Sequence, residues 1–170
     1  MKEDIMNIFL TSGTPEFMET VRKKHKNERI FIMHGEGNTV LLHESARKSV
    51  FATPRSFEVL EGAEDIEQRG FFALLNFPIT DDADALLEQR LLKAAASVTS
   101  FSGLISYRFL KPVKHETYIV LTQWAGPASF ELWQNSDDYK ALMTNNGNAG
   151  AAMFVSKPYV TKYTAKPIEE

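Results

Sequence analysis

The stretch TYIVLTQWAGPASFELWQNSDDYKAL, residues 117–142, sets the architecture of the chain. Its opening, Thr117–Trp124, is rich in β-branched and aromatic residues and reads as a strand. Gly126 and Pro127 then open a helix that carries Phe130, Leu132, Trp133 and Tyr139. Upstream, residues 104–110 read as a partner strand, reached through Pro112 and a turn at Lys114 and His115. Before that lies a helix with Thr80 as its N-cap, Asp81, Asp82 and Asp84 in its first turn, and Leu86, Leu87, Leu91, Leu92 and Ala95 on one face. Residues 71–79 form an apolar run interrupted by Asn76 and read as a core strand. Residues 144–152 are rich in Asn, Gly and Ala and read as a loop, and residues 159–163 as a last strand. The order strand, helix, strand, strand, helix, strand is that of a ferredoxin-like α+β unit.

The first half gives a looser version of that order. Residues 7–10 read as a strand. Thr14 caps a helix with Pro15 at its first position, and Phe17, Met18 and Val21 form its apolar stripe before the basic KKHK run. Residues 30–33 and 39–43 read as a hairpin across the GEGN turn at residues 35–38. A strand at residues 50–52 and a short helix over residues 54–60 complete the half. Charge and two glycines in residues 62–70 place the boundary there. The expected organisation is thus a divergent N-terminal α/β half over residues 6–64 and a ferredoxin-like half over residues 69–166, tandem units in one sandwich or barrel.

Composition narrows the function. The chain has 170 residues, 44% of them hydrophobic, with a formal net charge of −3. That balance builds no basic field for a polyanion, so nucleic acid is not an expected partner. The absence of cysteine removes thiolate metal sites, iron–sulfur clusters and thiol nucleophiles, and suits a cytoplasmic protein. The N-terminus lacks the pattern of a secretory signal, and no run approaches the roughly 20 apolar residues of a membrane span. Phosphate-binding glycine loops, the nucleophile elbow and the zinc-binding HExxH are all missing. His25, His34, His43 and His115 lack metal-ligand spacing. Acid pairs occur at helix starts, where they favour the helix dipole, so acid–base hydrolysis has little support.

The remaining candidates are polar or aromatic residues in apolar surroundings. Asn76 is either a satisfied strand-end amide or a donor aimed into a pocket. Trp133 is either core or the wall of a ligand site. Arg108, alternating with apolar neighbours in SYRFL, is either a solvated charge or a clamp for a carboxylate.

The 117–142 stretch, together with FALLN before it and SKPYVTKY after it, resembles the heme-degrading monooxygenases of the antibiotic-biosynthesis-monooxygenase superfamily, of the HmoB/Isd type. The most specific block is Trp133, Ser136, Asp137 and Tyr139, in W-x-x-S-D-x-Y. NIFLTSGTPEF, VLLHE and PRSFEVLE extend the resemblance to the N-terminal half. The staphylococcal stress-response family TRAP is similar over the same length. The resemblance implies heme as both substrate and prosthetic group, dioxygen as co-substrate, and an external reductant or electron-donating reductase. It implies a catalytic role for Asn76, as the distal amide, and for Trp133, as the indole that ruffles the macrocycle. Heme contacts then fall to Asn76, Arg108, Trp133 and Met143. The family histidine falls where this chain has Met143, which makes that thioether the expected iron ligand, with His34, His43 or His115 as substitutes. Other outcomes in the same superfamily are a non-catalytic heme-binding or stress-signalling protein and a cofactor-free monooxygenase acting on a small aromatic substrate. Two units in one chain can pack sheet to sheet internally, so a monomer is expected.

Overall fold

Numbering the four strands of each half in chain order, both halves place them side by side as 4-1-3-2, and the two sheets close on each other into one barrel. A computed structural model describes residues 5–79, 85–114, 117–144 and 157–168. The first half contributes β1 (Asn7–Gly13), α1 (Pro15–Lys24), β2 (Ile30–Gly35), β3 (Thr39–Ser45) and β4 (Arg55–Ala63). The second contributes β5 (Gly70–Pro78), α2 (Ala85–Ala96), β6 (Leu104–Pro112), β7 (Thr117–Trp124), α3 (Pro127–Gln134), α4 (Asp137–Thr144) and β8 (Tyr159–Ala165). The barrel order is β1-β3-β2-β8-β5-β7-β6-β4, with β4 returning to β1. This is the ferredoxin-like α+β architecture, with its sheets closed into a barrel.

The halves are joined by backbone hydrogen bonds, not merely packed side by side. One seam pairs β4 with β6, from Phe57 opposite Pro112 to Ala63 opposite Tyr107. The other pairs β2 with β8 at His34–Thr164 and Gly35–Tyr163. Strand alternation then sorts side chains into three apolar layers. One fills the barrel, including Ile8, Leu42, Phe57, Phe72, Leu74 and Leu121. A second lies under α1 on the outside of the first half. A third lies under α2, α3 and α4 on the outside of the second half.

Two readings of the first half need correction. Residues 54–60 are not a helix but part of β4, and residues 50–52 lie in a bent segment without strand pairing. The reason is period. In RSFEVLEGA, Phe57 is fully buried while its neighbours Ser56 and Glu58 are not, and β1 and β6 pair with that alternation on both edges. Pro54 precedes the strand rather than starting a helix. In α1, Thr14 does cap the helix, its Oγ1 accepting from the Phe17 N–H at 3.2 Å, but Phe17 points to solvent, and Met18 is the residue buried. Residues 127–144 also break into two helices at Asn135 and Ser136. The expected Thr80 cap, its three aspartates, the turn at His115 and the loop after Thr144 lie outside the described residues, as do the side chains of Leu86 and Leu87. No helix among the described residues is long and apolar enough to cross a membrane.

Candidate functional site

The outer face of the second half is built around Trp133. Gly126 and Pro127 start α3, and the indole comes to rest 1% exposed beneath it. Trp124 lies 5.5 Å away at a 30° tilt, Tyr139 meets it edge-on at 5.0 Å, and Phe130 at 6.1 Å. These separations and angles are those of favourable aromatic packing. The W-x-x-S-D-x-Y block has a local cause. Ser136 donates its hydroxyl to the Trp133 carbonyl at 2.6 Å and accepts the Tyr139 N–H at 3.2 Å, so one serine ends α3 and caps α4. Asp137 and Asp138 then occupy the first turn of α4, where carboxylates are stabilised. Tyr139 is thereby placed across the Trp133 ring, and burial pushes its phenol pKa upward.

The two buried tryptophans differ in how their N–H groups are satisfied. Trp124 donates to Thr122 Oγ1 at 2.8 Å, and Thr122 donates to the Ala73 carbonyl at 2.7 Å. Trp133 Nε1 is buried with no acceptor among the described residues. Met143 packs half-buried against the same cluster.

The structure does not bring the other two expected site residues to this face. Along β5, Ala73, Leu75 and Phe77 point toward the helices, while Phe72, Leu74 and Asn76 point into the barrel. Asn76 is 3% exposed, and its Nδ2 donates to the Leu74 carbonyl at 3.0 Å and, at 3.3 Å each, to the Tyr159 carbonyl and Thr161 Oγ1. Leu75 occupies the position that faces the helix layer. A one-residue difference in register puts a side chain on the opposite side of a sheet, and Asn76 is on the far side from Trp133.

Arg108 is on the barrel side of β6 as well, between the outward-facing Tyr107 and Phe109. It clamps a carboxylate, but one from its own chain: its Nε donates to Glu44 Oε2 at 2.7 Å. Its Nη1 donates to the Glu64 and Tyr107 carbonyls at 2.8 Å each. Gly62 makes this possible. A Cβ there would lie 2.8 Å from Arg108 Cδ and 3.0 Å from the Tyr107 carbonyl oxygen. The pair spans the two halves, β3 to β6, and sequence reading missed it. Its signal was present as alternation: Val40, Leu42 and Glu44 share the inward face of β3, as Arg108 and Leu110 share that of β6.

The histidines proposed as alternative ligands are elsewhere. His34 is exposed, with Nδ1 2.9 Å from Thr39 Oγ1. His43 is fully buried on the outer side of β3, between Phe9 and Phe51, with Nε2 2.8 Å from Glu28 Oε1. His115 lies outside the described residues. No group of three His, Cys, Asp or Glu able to hold a metal occurs among the described residues.

Heme can be tested against this face. It calls for a polar donor over the metal, an iron ligand, and a slot for a flat ring. Leu75, not Asn76, is the β5 residue in the Trp133 cluster, Met143 is the sulfur that packs there, and the rings of Trp124, Phe130, Trp133 and Tyr139 occupy the layer between sheet and helices. Of these three requirements, the described residues of this face supply a candidate iron ligand, Met143, and no polar donor on β5.

Comparison with known proteins agrees with the fold and divides on function. Residues 70–145 match the family model described as antibiotic biosynthesis monooxygenase. The signal transduction protein TRAP of Staphylococcus epidermidis is 26% identical over 132 residues, covering 78% of this chain and 79% of that protein. Among solved structures, a major regulator of staphylococcal pathogenesis superposes with a TM-score of 0.85 at 20% identity, covering 95% of this chain and 99% of the other. A heme-degrading enzyme of Listeria monocytogenes superposes with a TM-score of 0.72 at 15% identity, covering 94% and 99%. At these identities the two structures show a shared fold. Residues 70–145 are therefore similar to an antibiotic biosynthesis monooxygenase domain, within a fold shared with a regulator and a heme-degrading enzyme.

Proposed function

We propose that this chain is a regulatory, signal-transducing protein on a monooxygenase scaffold, like the TRAP proteins it resembles, and that heme degradation is not its chemistry. One observation carries the reading: on β5, the apolar Leu75 faces Trp133, and the amide of Asn76 faces the barrel interior, tied to the chain's own backbone. Oxygen activation needs a hydrogen-bond donor aimed at developing charge, and a leucine supplies none. The Met143 thioether in place of an imidazole points the same way, since it is a soft ligand that tends to raise the iron potential. An oxygenase's reductase partner has no role in this reading.

The test is spectroscopic. Protein mixed with equimolar hemin, then ascorbate in air, is expected to leave the heme absorbance undiminished beyond a protein-free control. Protein-dependent loss of the Soret band with a bilin product would restore the oxygenase reading.

A second reading is favoured by one specific feature. The buried Trp133 N–H has no acceptor among the described residues, a condition that costs about 1–3 kcal/mol. A ligand entering between α3 and α4 would supply that acceptor, with Met143 beside it. Heme bound without turnover is the ligand to test. A Soret band that develops on wild type and vanishes in Met143→Ala supports this reading, and free-hemin absorbance in both removes it.

A further inference from the structure

The barrel interior opens at one end into a cavity of about 110 Å³ to which both halves contribute, through β1, β3, β4, β5 and β8. Its chemistry is uneven. On β8, Tyr159, Thr161 and Tyr163 share the inward face at two-residue spacing and form one wall. Tyr163 is held flat across β2 because residue 35 is glycine; a Cβ there would come within 2.7 Å of the ring. Asn76 lies deep in the lining, with Nδ2 committed to its three acceptors. No hydrogen bond to its Oδ1 occurs among the described residues, and Asn76 lines the cavity, so that oxygen is the acceptor it offers there. At the rim stands Arg55, exposed, with its guanidinium 5.4 Å from the Phe57 ring and no ion pair among the described residues.

We infer that this cavity is a binding site for a small aromatic carboxylate bearing a hydroxyl at the end remote from the acid. Arg55 takes the carboxylate, since a guanidinium pairs with a planar anion through two parallel N–H donors. The tyrosine wall takes the ring. The Asn76 oxygen accepts from the hydroxyl, which explains why a buried amide sits here when leucine would fill the register more cheaply. The volume suits one ring and excludes anything as large as a porphyrin. An apolar cavity with a few convergent polar groups is the usual form of a small-molecule site. It lies on the opposite side of β5 from the helix face, so it stands or falls separately from the heme tests above.

The probe is 4-hydroxybenzoate, titrated by calorimetry and by protein chemical shifts on the full chain. Saturable one-to-one binding is expected, with shifts centred on residues 159–163. Arg55 is exposed, so Arg55→Gln should fold normally and bind about tenfold more weakly, the loss of one well-made charged contact. On wild type, 4-hydroxybenzamide should be weakened similarly and benzoate by a smaller factor. Asn76→Leu should bind 4-hydroxybenzoate and benzoate alike. Its melting temperature, measured in parallel, separates lost folding from lost recognition, and wild-type and Arg55→Gln titrations decide the matter if it unfolds. Absence of saturable binding to wild type, or undiminished affinity in Arg55→Gln, overturns the assignment.

Discussion

The two halves share a strand order and differ in what covers them. On the first, α1 and the bent 46–54 segment lie over a thin apolar layer that includes Met18, Ile32 and Phe51, with His43 and Glu28 set into it. On the second, three helices cover a thick aromatic layer whose centre is Trp133. The shared strand order therefore does not distinguish the halves, and the covering layer determines what each outer face can do. In the second half that layer is nearly all packing. The polar groups read from sequence as a site, Asn76 and Arg108, belong to the barrel shared by both halves.

The largest expected effect tests the contrast in packing. Trp133→Ala removes the centre of the aromatic layer and should cost about 3–5 kcal/mol in urea denaturation. The corresponding truncation under the first half's helix, Met18→Ala, should cost nearer 2 kcal/mol, the low end for such a change. Equal losses would mean that the two covers contribute alike. Next is the tie between the halves. Arg108 and Glu44 are 9% and 6% exposed in their side chains. Arg108→Ala leaves a buried carboxylate without its main partner and should cost about 3 kcal/mol. The double variant Arg108→Met/Glu44→Leu should recover most of that loss, because it removes both desolvated charges together. If the double variant is as unstable as the sum of the singles, the pair is not acting as a unit.

The second half was the more legible in sequence, for a physical reason. Its β7 is rich in β-branched residues, and its α3 has a glycine–proline start, so composition and caps agree there. The 54–60 segment reads as a helix because Pro54 imitates a helix start, while the alternation of a strand, Phe57 and Val59, spans too few residues to stand out. Trp133 and Met143, both expected as heme contacts, meet in one cluster because α3 and α4 carry them to it. Asn76 was misplaced because a continuous apolar run such as FFALLNFPI gives no alternation by which to tell one sheet face from the other. For Arg108 the sequence leaves open a solvated charge or a carboxylate clamp, because the carboxylate it does clamp is 64 residues away and meets it only when the barrel closes.

The smallest effect expected is a difference in how the halves titrate. In the first, the Glu28 carboxyl is held below its ordinary 4.5, chiefly by its hydrogen bond to His43, against the opposing effect of burial, with added attraction from His43, Arg47 and His25. A carboxylate favoured in the fold contributes stability above its unfolded pKa, and that contribution is lost as pH falls through the lower folded value. In the second, burial first, then the Glu88 carboxylate, raises the Tyr118 phenol, which donates to Glu88 Oε1 at 2.7 Å. Here the sign reverses: the contribution is whole below the ordinary phenol value of 10.0 and declines as pH rises above it. Melting curves against pH should therefore show that Glu28→Gln flattens the acid limb and leaves the alkaline limb unchanged. Tyr118→Phe should flatten the alkaline limb alone. Should Glu28→Gln melt in parallel with wild type throughout the acid range, the His43–Glu28 contact contributes nothing as an ion pair, and only the Tyr118–Glu88 contact of the second half is left to titrate.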